Sequence, residues 1–198
     1  MGADASMYGE EFRRLKDFRF VDWPKYGQEK TITDIAKRII LKNNIIPGDI
    51  VGGSSLGGIV AAEISRHIKI KKLILIGSTL TPANINPVLK KFSSFSEITP
   101  VNLLQYLVGK VNLVFENRIL EMFSKSDTLF IKAMCRAVFK WQGNLHPDCP
   151  VAQIHGEKDT VIFPPSTGAE IINNGGHLIA ITHEKAVIHF IKTTTIIA

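Results

Sequence analysis

The feature that most constrains this fold is a glycine-rich turn, GGSSLGG at residues 52–58, between two apolar segments. Residues 49–52 enter the turn as a short apolar run that predicts a strand. Residues 59–67 leave it with small and apolar residues that predict a helix. A strand that passes directly into a helix through such a turn predicts an α/β sheet.

The other segments alternate in the same way. Residues 18–23 are aromatic and β-branched and predict a strand, which Pro24 ends because proline cannot donate to a ladder. Residues 31–42 predict a helix with one apolar face, begun by Thr31 and Asp34 at the spacing of a capping box. The remaining elements are strands at residues 72–76, 151–155 and about 169–172, and a last helix at about residues 183–192. This order predicts a mostly parallel sheet flanked by helices, with right-handed crossovers.

The alternation stops between residues 82 and 143, where apolar residues recur at helical spacing. We therefore predict a helical cap at about residues 82–143, inserted between strands of the sheet. The chain has 198 residues and a mass of 22.0 kDa, which suits one core better than two, so residues 1–198 are predicted to be a single domain. The residues after 192 are expected to be a frayed or docked tail. The positions that suggest the cap are Leu103, Leu104, Leu107, Val108, Leu129, Ala133 and Ala137.

Composition and charge exclude several classes of protein. Hydrophobic residues make up 45% of the chain and charged residues 21%, a balance that excludes general disorder. No apolar run reaches the roughly 18 residues needed to cross a bilayer, and the charged start does not resemble a signal peptide, so we expect a cytoplasmic protein. The net charge is +6, but the basic residues are scattered, which argues against a nucleic-acid partner. Cys135 and Cys149 are too few for a metal cluster, and we expect no metal and no cofactor.

The turn itself carries a candidate nucleophile. Gly53, Ser55 and Gly57 match the pattern G-x-S-x-G, which holds a serine on a sharp turn with its hydroxyl exposed. We expect both glycines to be needed so that the strand and the helix can approach each other. The start of a helix also directs free backbone N–H groups, that of Leu56 among them, toward an oxyanion. Ser54 is the neighbouring alternative, and a phosphate-binding loop is disfavoured because the lysine that such loops need is absent.

A serine nucleophile needs a base, and the base needs a carboxylate to orient it. Asp159 lies in the turn after one predicted strand, and His177 ends the glycine-rich loop after the next, so both are expected at the edge of the sheet that bears Ser55. Glu157 is the alternative acid. The other histidines are expected to be structural, and for His155, directly before the acid turn, a supporting role beside the triad is the alternative.

Taken together, these motifs resemble the α/β-hydrolase fold family, and within it the small serine esterases. The matching pieces are GGSSLGG at residues 52–58, IHGEKD at residues 154–159 and GGH at residues 175–177. The resemblance implies a Ser/His/Asp catalytic triad on a mostly parallel sheet, with a helical cap. It also implies a carboxylesterase-like serine hydrolase that cleaves a small to medium acyl ester through an acyl-enzyme.

The resemblance is incomplete at the amino-terminal end. Hydrolases of this family begin with further strands, followed by a glycine-containing loop that supplies a second oxyanion N–H. Gly2 and Ala3 resemble the tail of that loop, so the first strands are expected to be missing, either in a shortened protein or because the start lies upstream. The alternative function is then a catalytically weak, hydrolase-like ligand-binding protein with an incomplete oxyanion hole. An exposed sheet edge would also favour a homodimer.

Overall fold

The computed structural model describes residues 5–89 and 127–196. These residues form four strands, which are β1 (Ile50–Ser54), β2 (Lys72–Ile76), β3 (Val151–Gly156) and β4 (Glu170–Ile172). Their α-helices are α1 (Glu10–Arg13), α2 (Ile32–Asn43), α3 (Leu56–Ile64), α4 (Thr128–Val138), α5 (Ile179–Thr182) and α6 (Glu184–Ile196). Short 3₁₀ helices lie at Ala5–Met7 and Pro82–Asn84.

The four strands form one sheet in the order β1-β2-β3-β4, and each neighbouring pair is parallel. Strand β1 pairs with β2 from Ile50 opposite Lys72 to Ser54 opposite Ile76. The predicted parallel sheet is therefore confirmed. Because the strands run in one direction, their carboxyl ends and the loops that follow them meet at one edge.

Helices cover both faces of this sheet, as predicted. Leu73 and Leu75 of β2 are buried in a core shared with α2, α3 and α4. Ile74 and Ile76 of the same strand are buried in a second core, shared with α1, α5 and α6. Successive side chains of a strand point to opposite faces, so a strand between two helical layers must be apolar throughout.

The predicted start of α2 is also confirmed. The Thr31 hydroxyl accepts a hydrogen bond from the Asp34 backbone N–H at 3.0 Å, and the Asp34 carboxylate accepts from the Thr31 backbone N–H at 2.9 Å. This reciprocal pair satisfies backbone donors that a helix start leaves without partners. Ile32 and Ile35 then lie on the buried face.

The strand predicted at residues 18–23 is wrong, since these residues have no ladder partner and form no regular element. A cavity of about 1100 Å³ has Phe18 and Val21 on its wall together with Gly52 and Gly53 of β1. Strands must lie about 4.8 Å apart to pair, and in the described sheet β1 has β2 as its neighbour and not this segment. Aromatic and β-branched composition alone therefore did not produce a strand.

Four further expectations need correction or lie outside the described residues. Helix α3 begins at Leu56 and ends at Ile64, earlier than predicted. Leu129 is 63% exposed, and α4 buries Phe130 and Met134 instead. The predicted tail continues α6 as far as Ile196. Most of the predicted cap, including residues 90–126, is outside the described part of the chain. Within the described ranges, no helix combines the length and apolar character that a membrane span needs.

Candidate active site

Ser55 occupies the turn between β1 and α3. Its backbone has φ 52° and ψ −121°, a conformation that costs a non-glycine residue energy and that surrounding contacts must hold. The Ser55 N–H donates to the Ile76 carbonyl at 3.0 Å. The Ser55 carbonyl accepts from the Ser78 hydroxyl at 2.7 Å and from the backbone N–H of Gly58 at 3.0 Å. The strained residue is thus held by both of its backbone polar groups.

His177 and Asp159 lie beside this serine. The His177 Nε2 atom is 2.8 Å from Ser55 Oγ, and His177 Nδ1 is 2.8 Å from Asp159 Oδ2. His177 and Asp159 are both buried, and they follow β4 and β3 at the edge where β1 ends. The three side chains predicted from separate parts of the chain therefore form one hydrogen-bonded line.

Asp159 is held by four hydrogen-bond donors. Its Oδ1 accepts from the backbone N–H groups of Val161 at 2.9 Å and Ile162 at 3.0 Å. Its Oδ2 accepts from His177 at 2.8 Å and lies 3.1 Å from Nε2 of His155. Burial alone would raise the pKa of Asp159, but the hydrogen bonds from the two histidines outweigh it and hold that pKa well below its usual range. The carboxylate is therefore charged at neutral pH.

No protein-family model matches the chain. No curated protein matches it in sequence. Solved structures do match: an esterase from Thermogutta terrifontis has 16% identity and a TM-score of 0.68, covering 98% of this chain and 85% of its own. A lipase-esterase related protein from Clostridium acetobutylicum has 14% identity and a TM-score of 0.77, covering 97% and 90%. A hydrolase from Pseudomonas aeruginosa has 17% identity and a TM-score of 0.73, covering 97% and 85%. The chain has the α/β-hydrolase fold.

In this α/β-hydrolase fold, the alternative residues Ser54 and Glu157 lie in the same turns but do not join the hydrogen-bonded line. His177 contacts Ser55, and no hydrogen bond joins it to Ser54 among the described residues. Glu157 is exposed, and its carboxylate accepts from the Asn174 backbone N–H at 2.8 Å. The turn therefore presents Asp159 inward and Glu157 outward.

Of the two glycines expected to be needed for space, Gly53 fits the expectation and Gly57 does not. A Cβ atom on Gly53 would lie 2.4 Å from the Gly57 backbone carbon, so Gly53 is needed for close approach. A Cβ on Gly57 would meet nothing within 4 Å, which contradicts the expectation that this glycine is needed for space. Gly58 takes that role, since its Cβ would lie 2.4 Å from Ser78 Oγ. The helix presents Gly58, and not Gly57, to Ser78 and to the Gly53 carbonyl.

The predicted oxyanion donors lie only partly within the described residues. Leu56 is the first residue of α3, where a backbone N–H has no acceptor within the helix. Gly2 and Ala3 lie outside the described residues. In the described ranges, no group of three or more His, Cys, Asp or Glu side chains could hold a metal ion.

Sequence reasoning missed three polar residues around the site. Ser78 follows β2, and its hydroxyl donates to the Ser55 carbonyl. Gln153 lies within β3, and its amide donates to the Ser78 carbonyl. Burial raises the pKa of Tyr8 to about 12, although a hydrogen bond from the Ser54 backbone opposes the rise. The signal for Ser78 was its place at the carboxyl end of β2. No spacing in the sequence indicated Gln153 or Tyr8.

Proposed function

We propose that this protein is a serine hydrolase that cleaves small to medium acyl esters, with Ser55, His177 and Asp159 as its catalytic triad. The observation that carries the proposal is the continuous line of 2.8 Å contacts from Ser55 Oγ through His177 to Asp159. The esterase and the lipase-esterase related protein among the structural neighbours favour an ester as the substrate class. A cytoplasmic location remains a prediction.

The mechanism follows from which atoms of these three side chains can donate a proton and which can accept one. Ser55 Oγ attacks the ester carbonyl carbon as His177 Nε2 takes its proton, and Asp159 stabilises the resulting imidazolium through Nδ1. The backbone N–H of Leu56 stabilises the oxyanion. His177 then protonates the departing alcohol, which leaves an acyl-enzyme on Ser55. Water, deprotonated by His177, hydrolyses this ester and releases the acid.

Labelling with a fluorophosphonate tests the nucleophile directly, because the probe reacts only with an activated serine. We expect one adduct, located on Ser55 by mass spectrometry, and none in Ser55→Ala. The Ser54→Ala variant is the matched control and should still label. His177→Ala should slow labelling by about three orders of magnitude or more, since removing a triad member costs this much or more.

Hydrolysis of a short-chain nitrophenyl ester separates the proposal from its alternative. Labelling together with Ser55-dependent turnover supports the enzyme. Labelling with turnover no faster than that of Ser55→Ala indicates the catalytically weak ligand-binding protein with an incomplete oxyanion hole. Folded protein that gives no adduct on Ser55 contradicts both the nucleophile and the triad.

A further inference from the structure

We propose that His155, oriented by Gln153, is a positioning residue that holds the Asp159 carboxylate for His177. This inference rests on the proposed function, because the carboxylate matters only if His177 is the base. It adds to the three side chains a second imidazole, fully buried at 0% exposure, that the reaction itself does not use.

The surroundings of His155 fix which ring nitrogen carries its proton. Its Nε2 lies 2.8 Å from the Ile162 carbonyl oxygen and 3.1 Å from Asp159 Oδ2. A carbonyl and an ionised carboxylate are acceptors only, so Nε2 must bear a hydrogen and donate. The one hydrogen on Nε2 is therefore shared, with the Ile162 carbonyl as the nearer acceptor and Asp159 Oδ2 as the second.

Gln153 determines the state of the other ring nitrogen. Its Nε2 donates to the Ser78 carbonyl at 2.8 Å, and this contact fixes the orientation of the amide. The same Nε2 lies 3.5 Å from His155 Nδ1, at the outer limit of a hydrogen bond, so its second hydrogen faces Nδ1. A donor at this position favours a bare Nδ1. The geometry thus assigns His155 as neutral, with its one ring proton on Nε2.

Two imidazoles consequently share one carboxylate oxygen. His177 exchanges a proton with Ser55 during the reaction, whereas His155 stays neutral and holds Asp159 Oδ2 from the other side. The backbone bonds at Oδ1 complete the arrangement, so the carboxylate cannot rotate without breaking them. The His155 N–H also partly neutralises the negative charge on Oδ2. Removing His155 would therefore strengthen the attraction between Asp159 and protonated His177.

The contacts also tie the acid to the nucleophile through the protein interior. The Ser78 hydroxyl donates to the Ser55 carbonyl, and the Ser78 carbonyl accepts from Gln153. A closed series of contacts therefore leads from the backbone of Ser55 to its own hydroxyl. In order, it passes through Ser55, Ser78, Gln153, His155, Asp159, His177 and Ser55.

Two substitutions of His155 separate a positioning role from simple packing. His155→Phe keeps an aromatic ring but removes the donor, and His155→Gln places an amide N–H close to the former Nε2. His189→Gln, at an exposed position on α6, is the matched control. Rates are expressed per active site counted by fluorophosphonate labelling, so that misfolded protein does not contribute.

We expect kcat/KM to fall about 10- to 100-fold in His155→Phe, the range for a lost hydrogen bond to a charged group. The midpoint of its pH–activity profile should move to higher pH, since His177 would stay protonated up to a higher pH. His155→Gln should recover most of the rate and the original midpoint, and His189→Gln should match the unchanged protein. A His155→Phe rate within twofold of the unchanged protein, with an unmoved profile, would overturn the proposal.

A readout without turnover separates this inference from the proposed function. Nitrogen-15 NMR of the histidine rings in the full chain should find His155 neutral with its proton on Nε2, and a strongly downfield His177 Nδ1 proton. That resonance should move in His155→Phe and not in His189→Gln. A His155 protonated on Nδ1 refutes the inference whatever the activity, whereas the expected spectrum without Ser55-dependent turnover refutes only the proposed function.

Discussion

At the scale of single residues, space around the Ser55 turn is tightest at two glycines. Gly53 faces the backbone of Gly57, and Gly58 faces the Ser78 side chain, each at 2.4 Å from an added Cβ atom. Neither neighbour can move freely, because one is backbone and the other is bonded to the Ser55 carbonyl. The strained serine is therefore supported by close packing on both sides of the turn.

These distances predict that adjacent glycines respond in opposite ways to alanine. Gly58→Ala should lower the free energy of unfolding by about 1–3 kcal/mol, as overpacking does. Gly57→Ala should leave it unchanged or raise it by up to about 1 kcal/mol, because alanine is the better helix former. Urea denaturation of the two variants measures the difference. Equal stabilities would show that Gly58 has more space than the structure gives it.

At the scale of elements, one buried carboxylate joins three parts of the fold. Glu63 of α3 accepts from the Thr33 hydroxyl of α2 at 2.6 Å and from Trp141 Nε1, just after α4, at 2.9 Å. It also lies 3.2 Å from His67 Nε2. Burial alone would raise the pKa of Glu63, but the hydrogen bonds from Thr33 and Trp141 outweigh it and hold that pKa below its usual value. The ionised form therefore stabilises the folded chain.

Glu63→Gln should lower the free energy of unfolding by about 1–3 kcal/mol at pH 7, because an amide nitrogen would face one of these donors. A group whose pKa is lowered by folding contributes stability above its unfolded pKa of about 4.3 and loses it as the pH falls. The difference between the two proteins should therefore shrink below about pH 4. Urea denaturation at several pH values measures it, with the exposed Glu170→Gln as control. A difference that is constant with pH would contradict an ionised Glu63.

At the scale of the whole molecule, β1 is the end strand of the described sheet. Ser55 bonds to β2, and alternate residues of a strand point to opposite edges, so Val51 and Gly53 also face β2. Ile50 and Gly52 present their backbone groups to the side of β1 that faces away from β2. Such an edge is a template for another strand, which keeps the predicted homodimer open to test.

Hydrogen exchange at different protein concentrations tests this homodimer. If two copies pair through β1, the amides of Ile50 and Gly52 should become protected as concentration rises, alongside a doubled mass in light scattering. The amides of Val51 and Gly53 should be protected at every concentration and serve as internal controls. A single-chain mass at all concentrations, with Gly52 exchanging rapidly throughout, would contradict the dimer.

The sequence by itself determined what depends on local spacing. The capping box at Thr31, the strand at Lys72–Ile76 and the sharp turn at Ser55 each arise from residues a few positions apart. The order of Ser55, Asp159 and His177 could be predicted for a related reason. Each follows a predicted parallel strand, and such strands end at one edge.

Only the tertiary structure decided what depends on neighbours distant in the chain. Residues 18–23 have strand-like composition, but a strand exists only beside a partner, and no strand of the described sheet pairs with them. Whether Gly57 or Gly58 is needed for space depends on the rotation of α3 against Ser78. The contact of His155 with Asp159, and the amide of Gln153 that orients it, depend on how β3 and the turn after it pack. Periodicity along a chain carries no information about these distances, because packing between elements sets them.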